Sequence, residues 1–424
     1  MNNQNSHCEE PATASMAGDE AISKTRLLRQ DLVRCLAMTA KLFLFLLIVW
    51  ALGEIATRLF IPFDPERRSL DRSEDAPYIR TDWVPGFERD YVIEGLAGQT
   101  GTMHFKINEF GFRSSSMKTA KKPEGTRRIF FLGGSVTEEL YLPDEKTFPF
   151  LTEKKLSESF PDKKFECVNN GISGYLAADV LALLLYKILY YEPDLVVVML
   201  ANNDLRYGTV PHYDPVRRPG YRKALYTPDH DEGIGKDVAK VLKRSHFLTL
   251  LKWRLFNRIF PPDAEKYKTP LEQFEAWRAE RLKRPFTPVS ESKSLDDFLK
   301  YLEEIIFIAR GHGVRLIFMT EPYVYQENLP PEINEKLWSG WLGAGSHMKV
   351  NLSPEFLLKE SRRFNDAVRE LSEKQGVELI DLEREIPKDL GYFADDLHLT
   401  PKGAGLASRV ITAYLIEHPE GLSP

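Results

Sequence analysis

The chain has 424 residues, 43% hydrophobic and 28% charged, enough for one large or two ordinary globular domains. A net charge of −5 provides no field that would recruit nucleic acid, so no nucleic-acid partner is expected. Cys8, Cys35 and Cys167 make neither a disulfide framework nor a Cys-x-x-Cys pair for zinc or redox work.

Residues 1–22 are polar and rich in small side chains, which predicts a disordered N-terminus. Residues 23–60 read as a membrane anchor region. Leu42–Gly53, LFLFLLIVWALG, carries no charge, and extending it back to Cys35 adds only Lys41. That approaches the roughly 20 residues a helix needs to cross a bilayer, and a lysine near one end can snorkel to the headgroups. Lys24, Arg26, Arg29 and Arg34 precede it and favour an inside N-terminus, with the rest of the chain extracytoplasmic. Arg58, Arg67, Arg68 and Arg72 follow and weaken that asymmetry. Ala51-Leu52-Gly53 has the small residues of a signal-peptidase site, but so late an apolar run favours an uncleaved, single-pass anchor.

Residues 61–125 hold short strand-like runs, TMHFKINEFGF among them, and read as a connector packing on the main domain. From residue 126 to 418 strands alternate with helices. RRIFFLGG, KFECVNNG, PDLVVVML, VRLIFMT and GVELIDL are the strands in order. FPFLTEKKLSESF and LAADVLALLLYKILYY read as helices, and long helical patterns precede the last two strands. TPKGAGLASRVITAYLIE closes the domain, with Thr400 as N-cap and Pro401 in the first turn. Strands separated by helices imply βαβ units, a parallel sheet and helices on both faces. Residues 205–290 break the rhythm and read as a helical insertion. Within it, Leu248, Leu251, Leu255 and Ile259 share one face of a basic amphipathic helix, read as a cap on the domain in preference to a lid or a membrane contact.

Ligands of such sheets bind beyond the carboxyl ends of the strands. Three strand ends here carry flexible or polar residues: Gly133-Gly134-Ser135, NNGISGY at 169–175, and Ala201-Asn202-Asn203-Asp204. Near the C-terminus stands Asp395-Asp396-Leu397-His398. An aspartate three residues before a histidine can hold one imidazole nitrogen while the other faces outward, as a general base requires. Such a base makes a serine hydroxyl nucleophilic, and Gly174 N–H, the Asn203 amide and Ser135 N–H are candidate donors to the oxyanion. A P-loop is excluded because no Lys-Ser/Thr follows the glycines. A Gly-x-Ser-x-Gly elbow fails at Thr137. The remaining histidines are scattered, so no metal is expected, nor any organic cofactor.

Gly-x-Ser after the first strand, Gly174 after the second, Asn203-Asp204 after the third and Asp395-x-x-His398 before the last helix together resemble the SGNH/GDSL hydrolase superfamily. The resemblance implies a flavodoxin-like three-layer α/β/α fold and a serine esterase acting on an acetyl or similar ester, of an acylated small molecule or a cell-envelope glycan. Alternatives are an O-acyltransferase with the same triad, or a glycan-binding envelope protein without catalysis. Carried over, Ser135 is the nucleophile, Asp395 and His398 complete the triad, and Gly174 and Asn203 form the oxyanion hole. TEPYVY at 320–325 and NEFGFR at 108–113 resemble segments of membrane-anchored bacterial members. The first puts Glu321 and Tyr323 at the substrate; the second has no evident mechanism. Two residues depart from the pattern: Gly134 replaces the usual aspartate and Ala201 the usual glycine.

Overall fold

The computed structural model describes residues 13–60, 70–71, 79, 82–95, 98–211, 213–214, 245, 247, 270–342 and 350–420. The chain divides into two compact units, one of Met1–Glu66 with Asp231–Pro262 and one of Arg67–His230 with Asp263–Pro424.

In the first unit a single helix, α1, runs from Thr13 to Phe60. The expected disorder of 1–22 therefore gives way to helix at Thr13; residues 1–12 lie outside the described residues. Leu32–Ala56 is long and apolar enough to cross a membrane, and none of it is buried in the protein. Near its end Glu54 accepts hydrogen bonds from Ser245 Oγ (2.7 Å) and Phe247 N–H (3.1 Å), and Trp50 Nε1 donates to Ser245 Oγ (3.0 Å).

Early in the second unit, after a short antiparallel pairing of Leu70–Asp71 with Asp82–Trp83, stands an antiparallel hairpin, β1 (Glu88–Val92) and β2 (Thr102–Lys106). Then come β3 (Thr126–Gly133), α2 (Ser135–Glu138), α3 (Phe148–Ser159), β4 (Lys164–Gly171), α4 (Ala177–Tyr186), β5 (Leu195–Met199) and α5 (Asn202–Tyr207). After residue 269 follow α6 (Pro270–Leu282), α7 (Leu295–Gly311), β6 (Arg315–Met319), α8 (Pro354–Gln375), β7 (Glu378–Ile380) and α9 (Pro401–Glu417).

The five long-domain strands form one parallel sheet in the order β7-β6-β5-β3-β4. Every residue of β5, Leu-Val-Val-Val-Met, is buried, as befits a strand covered on both faces. Helices α3 and α9 pack together, as do α4, α7 and α8, so the sheet lies in the middle of three layers. The flavodoxin-like architecture is thus as expected from the alternation. The first strand, β3, sits between β4 and β5, so the strand order reverses beside its carboxyl end. Thr400 caps α9 as predicted: its Oγ1 accepts from Gly403 N–H at 3.2 Å, with Pro401 in the first turn.

Some boundaries move. The run 176–191 breaks at Lys187 into α4 and a 3₁₀ turn, because the Lys187 ammonium turns inward to Asp82 Oδ2 (2.6 Å) and Gly111 O (3.0 Å). Within the segment expected as an insertion, Leu205, Tyr207 and Val210 are core residues, and α6 belongs to the second unit. The amphipathic run 248–260 lies outside the described residues. The 61–125 segment contributes Phe105, Ile107 and Phe112 to the core.

Candidate active site

Strand β3 delivers Ser135 at the switch point, where the chain turns into α2. With no side chain at 134, the neighbouring loop comes close: a Cβ there would lie 2.6 Å from Asn203 Nδ2. The Asn203 amide therefore packs directly against the backbone at Gly134. That amide also donates to Tyr175 O at 3.0 Å. Gly174 has φ +80°, the left-handed region glycine adopts without strain. The turn's backbone bonds, Ile172 N–H to Gly133 O and Tyr175 N–H to Ile172 O, leave the Gly174 N–H out. Asp204 serves another purpose, since its carboxylate accepts from Ala177 N–H at the start of α4 (3.1 Å).

The sequence from 395 to 398 folds back as a tight turn. Asp395 Oδ1 accepts from Leu397 N–H and His398 N–H, each at 2.9 Å. His398 Nδ1 lies 2.8 Å from Asp395 Oδ2, and Nε2 lies 2.9 Å from Ser135 Oγ. A carboxylate facing Nδ1 keeps the proton there, which leaves Nε2 to accept from the serine. The three side chains named from the sequence therefore meet in one hydrogen-bonded line, 263 residues of chain separating serine from histidine. Ser135 and His398 both line a cavity of about 480 Å³.

Electrostatics set this pair apart. Burial alone would raise the Asp395 carboxyl, but His398's charge and hydrogen bond, helped by the two backbone N–H donors, hold it well below the usual carboxylate range. Burial pulls the His398 imidazole down, but Asp395's charge and hydrogen bond, with Asp396 and Glu321 behind, hold it above its ordinary value. The neighbouring Asp396 faces away. It accepts from Trp338 N–H (2.6 Å), Ser339 Oγ (2.9 Å) and Tyr325 OH (3.0 Å), and burial followed by Asp395's charge pushes its carboxyl up.

Gly174 and Asn203 are not among the residues lining the cavity, and Glu321 and Tyr323 do not reach it as expected. The latter two are buried, because the chain beyond β6 turns under the site instead of along it. Glu321 accepts from Asn202 N–H at 2.5 Å, holding the first turn of α5 that carries Asn203. Burial raises its carboxyl to about 7, against the pull of the Asn202 N–H and of His398. Tyr323 lies under the Lys388 ammonium, 3.5 Å from its ring centre.

Two residues the sequence analysis left without a role belong here. Trp338 Nε1 donates to Asp395 Oδ2 (2.9 Å), and its indole stacks parallel to the His398 ring at 6.0 Å. Nothing in its local pattern marks it, since it stands in an irregular stretch between β6 and α8. Arg113 ends the NEFGFR segment and had only its resemblance as a signal. Asn108 Oδ1 accepts from Phe110 and Phe112 N–H (3.0 Å each), shaping the turn that sends Arg113 inward. Its buried guanidinium donates to Glu138 O (2.6 Å), Glu139 O (3.0 Å), Leu142 O (2.5 Å) and Asp144 Oδ1 (2.7 Å). It thereby ties down the end of α2 and the segment after it, which forms one wall of the cavity.

The model of the GDSL-like lipase/acylhydrolase family matches residues 131–406, which span β3 to α9. The chain belongs to this family. As a GDSL-like protein it is an ester hydrolase of the SGNH type. No curated protein matches it. Among solved structures it is similar to an acetylxylan esterase from Geobacillus stearothermophilus, at 14% identity and a TM-score of 0.36, over 69% of this chain and 93% of that one. A putative acylhydrolase from Bacteroides fragilis NCTC 9343 is similar at 11% identity and a TM-score of 0.35, over 70% of this chain and 90% of that one. Among the described residues no group of His, Cys, Asp and Glu side chains is placed to hold a metal ion.

Proposed function

We propose that this hydrolase removes a short acyl group, acetyl in the leading case, from a cell-envelope glycan through Ser135, His398 and Asp395. The observation that carries the reading is the hydrogen-bonded line from Asp395 through His398 to Ser135 Oγ at the mouth of a cavity. Ser135 Oγ attacks the acyl carbonyl carbon while His398 Nε2 takes the hydroxyl proton. The carbonyl electrons move onto oxygen, and Gly174 N–H, the Asn203 amide and Ser135 N–H are the donors proposed for that oxyanion. As it collapses, the ester C–O bond breaks and His398 returns the proton to the departing alcohol. Water then attacks the acyl-serine by the same route and releases the carboxylic acid. An acceptor alcohol in place of water would make the same site an acyltransferase.

The apolar part of α1 is read as a single membrane crossing, with the catalytic body on the extracytoplasmic side. The basic residues at 24, 26, 29 and 34 before the span support that orientation. The site reading is tested by labelling the full chain with a serine-directed fluorophosphonate. Ser135→Ala is expected to abolish labelling and hydrolysis of aryl and sugar acetates while the far-UV circular dichroism stays unchanged. Persistent labelling of that variant removes Ser135 from the role.

A further inference from the structure

The cavity beside Ser135 is unusual in its charge. Arg278 of α6, Lys336 and Lys402 of α9 all line it, each from a different segment of the chain. None of the three has an ion-pair partner among the described residues. Arg278 spends only Nε, on Lys336 O at 2.9 Å, and Lys402 Nζ lies 4.0 Å from the centre of the Tyr392 ring. Some cations of this unit that lie close to the surface do pair with carboxylates: Lys122 with Asp194, Arg369 with Asp381 and Glu383, Lys388 with Glu383.

The carboxyl groups in the same cavity do not balance these charges. Asp395 is engaged by His398 and Trp338. Glu139 is buried, its Oε2 accepts from Phe148 N–H at 2.7 Å, and burial raises its carboxyl to about 8, which favours its uncharged form. The remaining lining near the serine is largely apolar, Leu140, Leu142 and Phe274 among it. A volume of about 480 Å³ is in the range that holds a small ligand or one or two units of an oligomer.

We propose that the alcohol portion of the substrate is an acidic saccharide, its carboxylates met by Arg278, Lys336 and Lys402 while the acyl group reaches Ser135. Cations on three separate segments suit charge repeated along an oligomer. A phospholipid concentrates its charge in one headgroup, which would leave cations on the other segments unmatched. The inference rests on the Ser135 chemistry proposed above, so its test includes a readout that does not need that chemistry.

Full-length enzyme in detergent is given O-acetylated oligogalacturonate and O-acetylated xylo-oligosaccharide of equal length, and kcat/KM is compared. The acidic ester is expected to be favoured by roughly tenfold, the scale of a few exposed ion pairs acting together. That ratio is expected to collapse in an Arg278→Gln, Lys336→Gln, Lys402→Gln variant, and to shrink in about 0.5 M salt as screening increases. In parallel, Ser135→Ala is titrated with both oligosaccharides by calorimetry, with the same charge preference expected. Equal binding and equal turnover of the two sugars overturn the inference and leave the esterase reading intact. Charge-dependent binding without turnover of either sugar ester supports the inference and overturns the Ser135 deacylation proposed above. Preference for lysophosphatidylglycerol over the acidic sugar overturns the saccharide assignment.

Discussion

The two reacting groups are held in place by different means. Ser135 is positioned through backbone: a parallel strand, a side-chain-free residue at 134 and the Arg113 guanidinium gripping three carbonyl oxygens and Asp144. His398 is positioned through side chains: Asp395 beneath it, Trp338 beside it, and Asp396 fastening the Trp338–Ser339 backbone. A hydroxyl needs only to be put in a place. A base must also have its proton affinity set, and that takes neighbouring charge.

The sharpest break in this comparison is at Asp395. Asp395→Asn removes the charge that stabilises the imidazolium and presents the wrong partner to Nδ1, so kcat is expected to fall roughly 10,000-fold with the fold retained. The pH profile moves with it. His398 acts as base only when neutral, so in the wild type activity rises with pH through a value above the ordinary imidazole range. With the main raising influence gone, that limb in the residual activity is expected at lower pH. An unchanged limb argues that another group titrates there.

On the serine side the corresponding change is Arg113→Ala. It strands Asp144 and three carbonyl oxygens around a buried guanidinium site, and a loss of about 3–5 kcal/mol is expected in denaturant unfolding. The contrast predicts that Arg113→Ala loses stability first and activity as a consequence, whereas Asp395→Asn loses activity alone. A stable but inactive Arg113→Ala would transfer it to the chemical step.

Much of the site was legible because its parts follow strong local signals. Bulky strand, glycines and serine at 130–135 mark a strand end, and Asp395-x-x-His398 places acid and base one turn apart. The parallel sheet follows from the alternation, and β5 from its β-branched run. Trp338 and Arg113 act through contacts made 57 and 25 residues away, in stretches with no periodicity to read. Glu321 was read at the wrong surface for a related reason. A strand end says that a residue is near the site, not whether its side chain turns toward the cavity or under it.

The smallest expected effect belongs to Trp338→Phe. It keeps a ring against His398 but removes the donor to Asp395, so kcat/KM is expected to fall about tenfold, the usual cost of losing an outer orienting bond. With one stabilising donor lost, Asp395 becomes more basic and the activity limb is expected to move to higher pH, opposite to Asp395→Asn. Equal profiles for the wild type and this variant would limit the indole to stacking.

Glu54 stands inside the last turns of the apolar stretch Leu32–Ala56, where a bare carboxylate would be costly in hydrocarbon. Its hydrogen bonds to Ser245 and Phe247 meet that cost with groups nearly two hundred positions further along the chain. On the anchored reading, the polypeptide therefore comes back to the lipid boundary halfway through its length. Losing this one acid would free that returning segment from the helix while leaving the span itself apolar enough to stay.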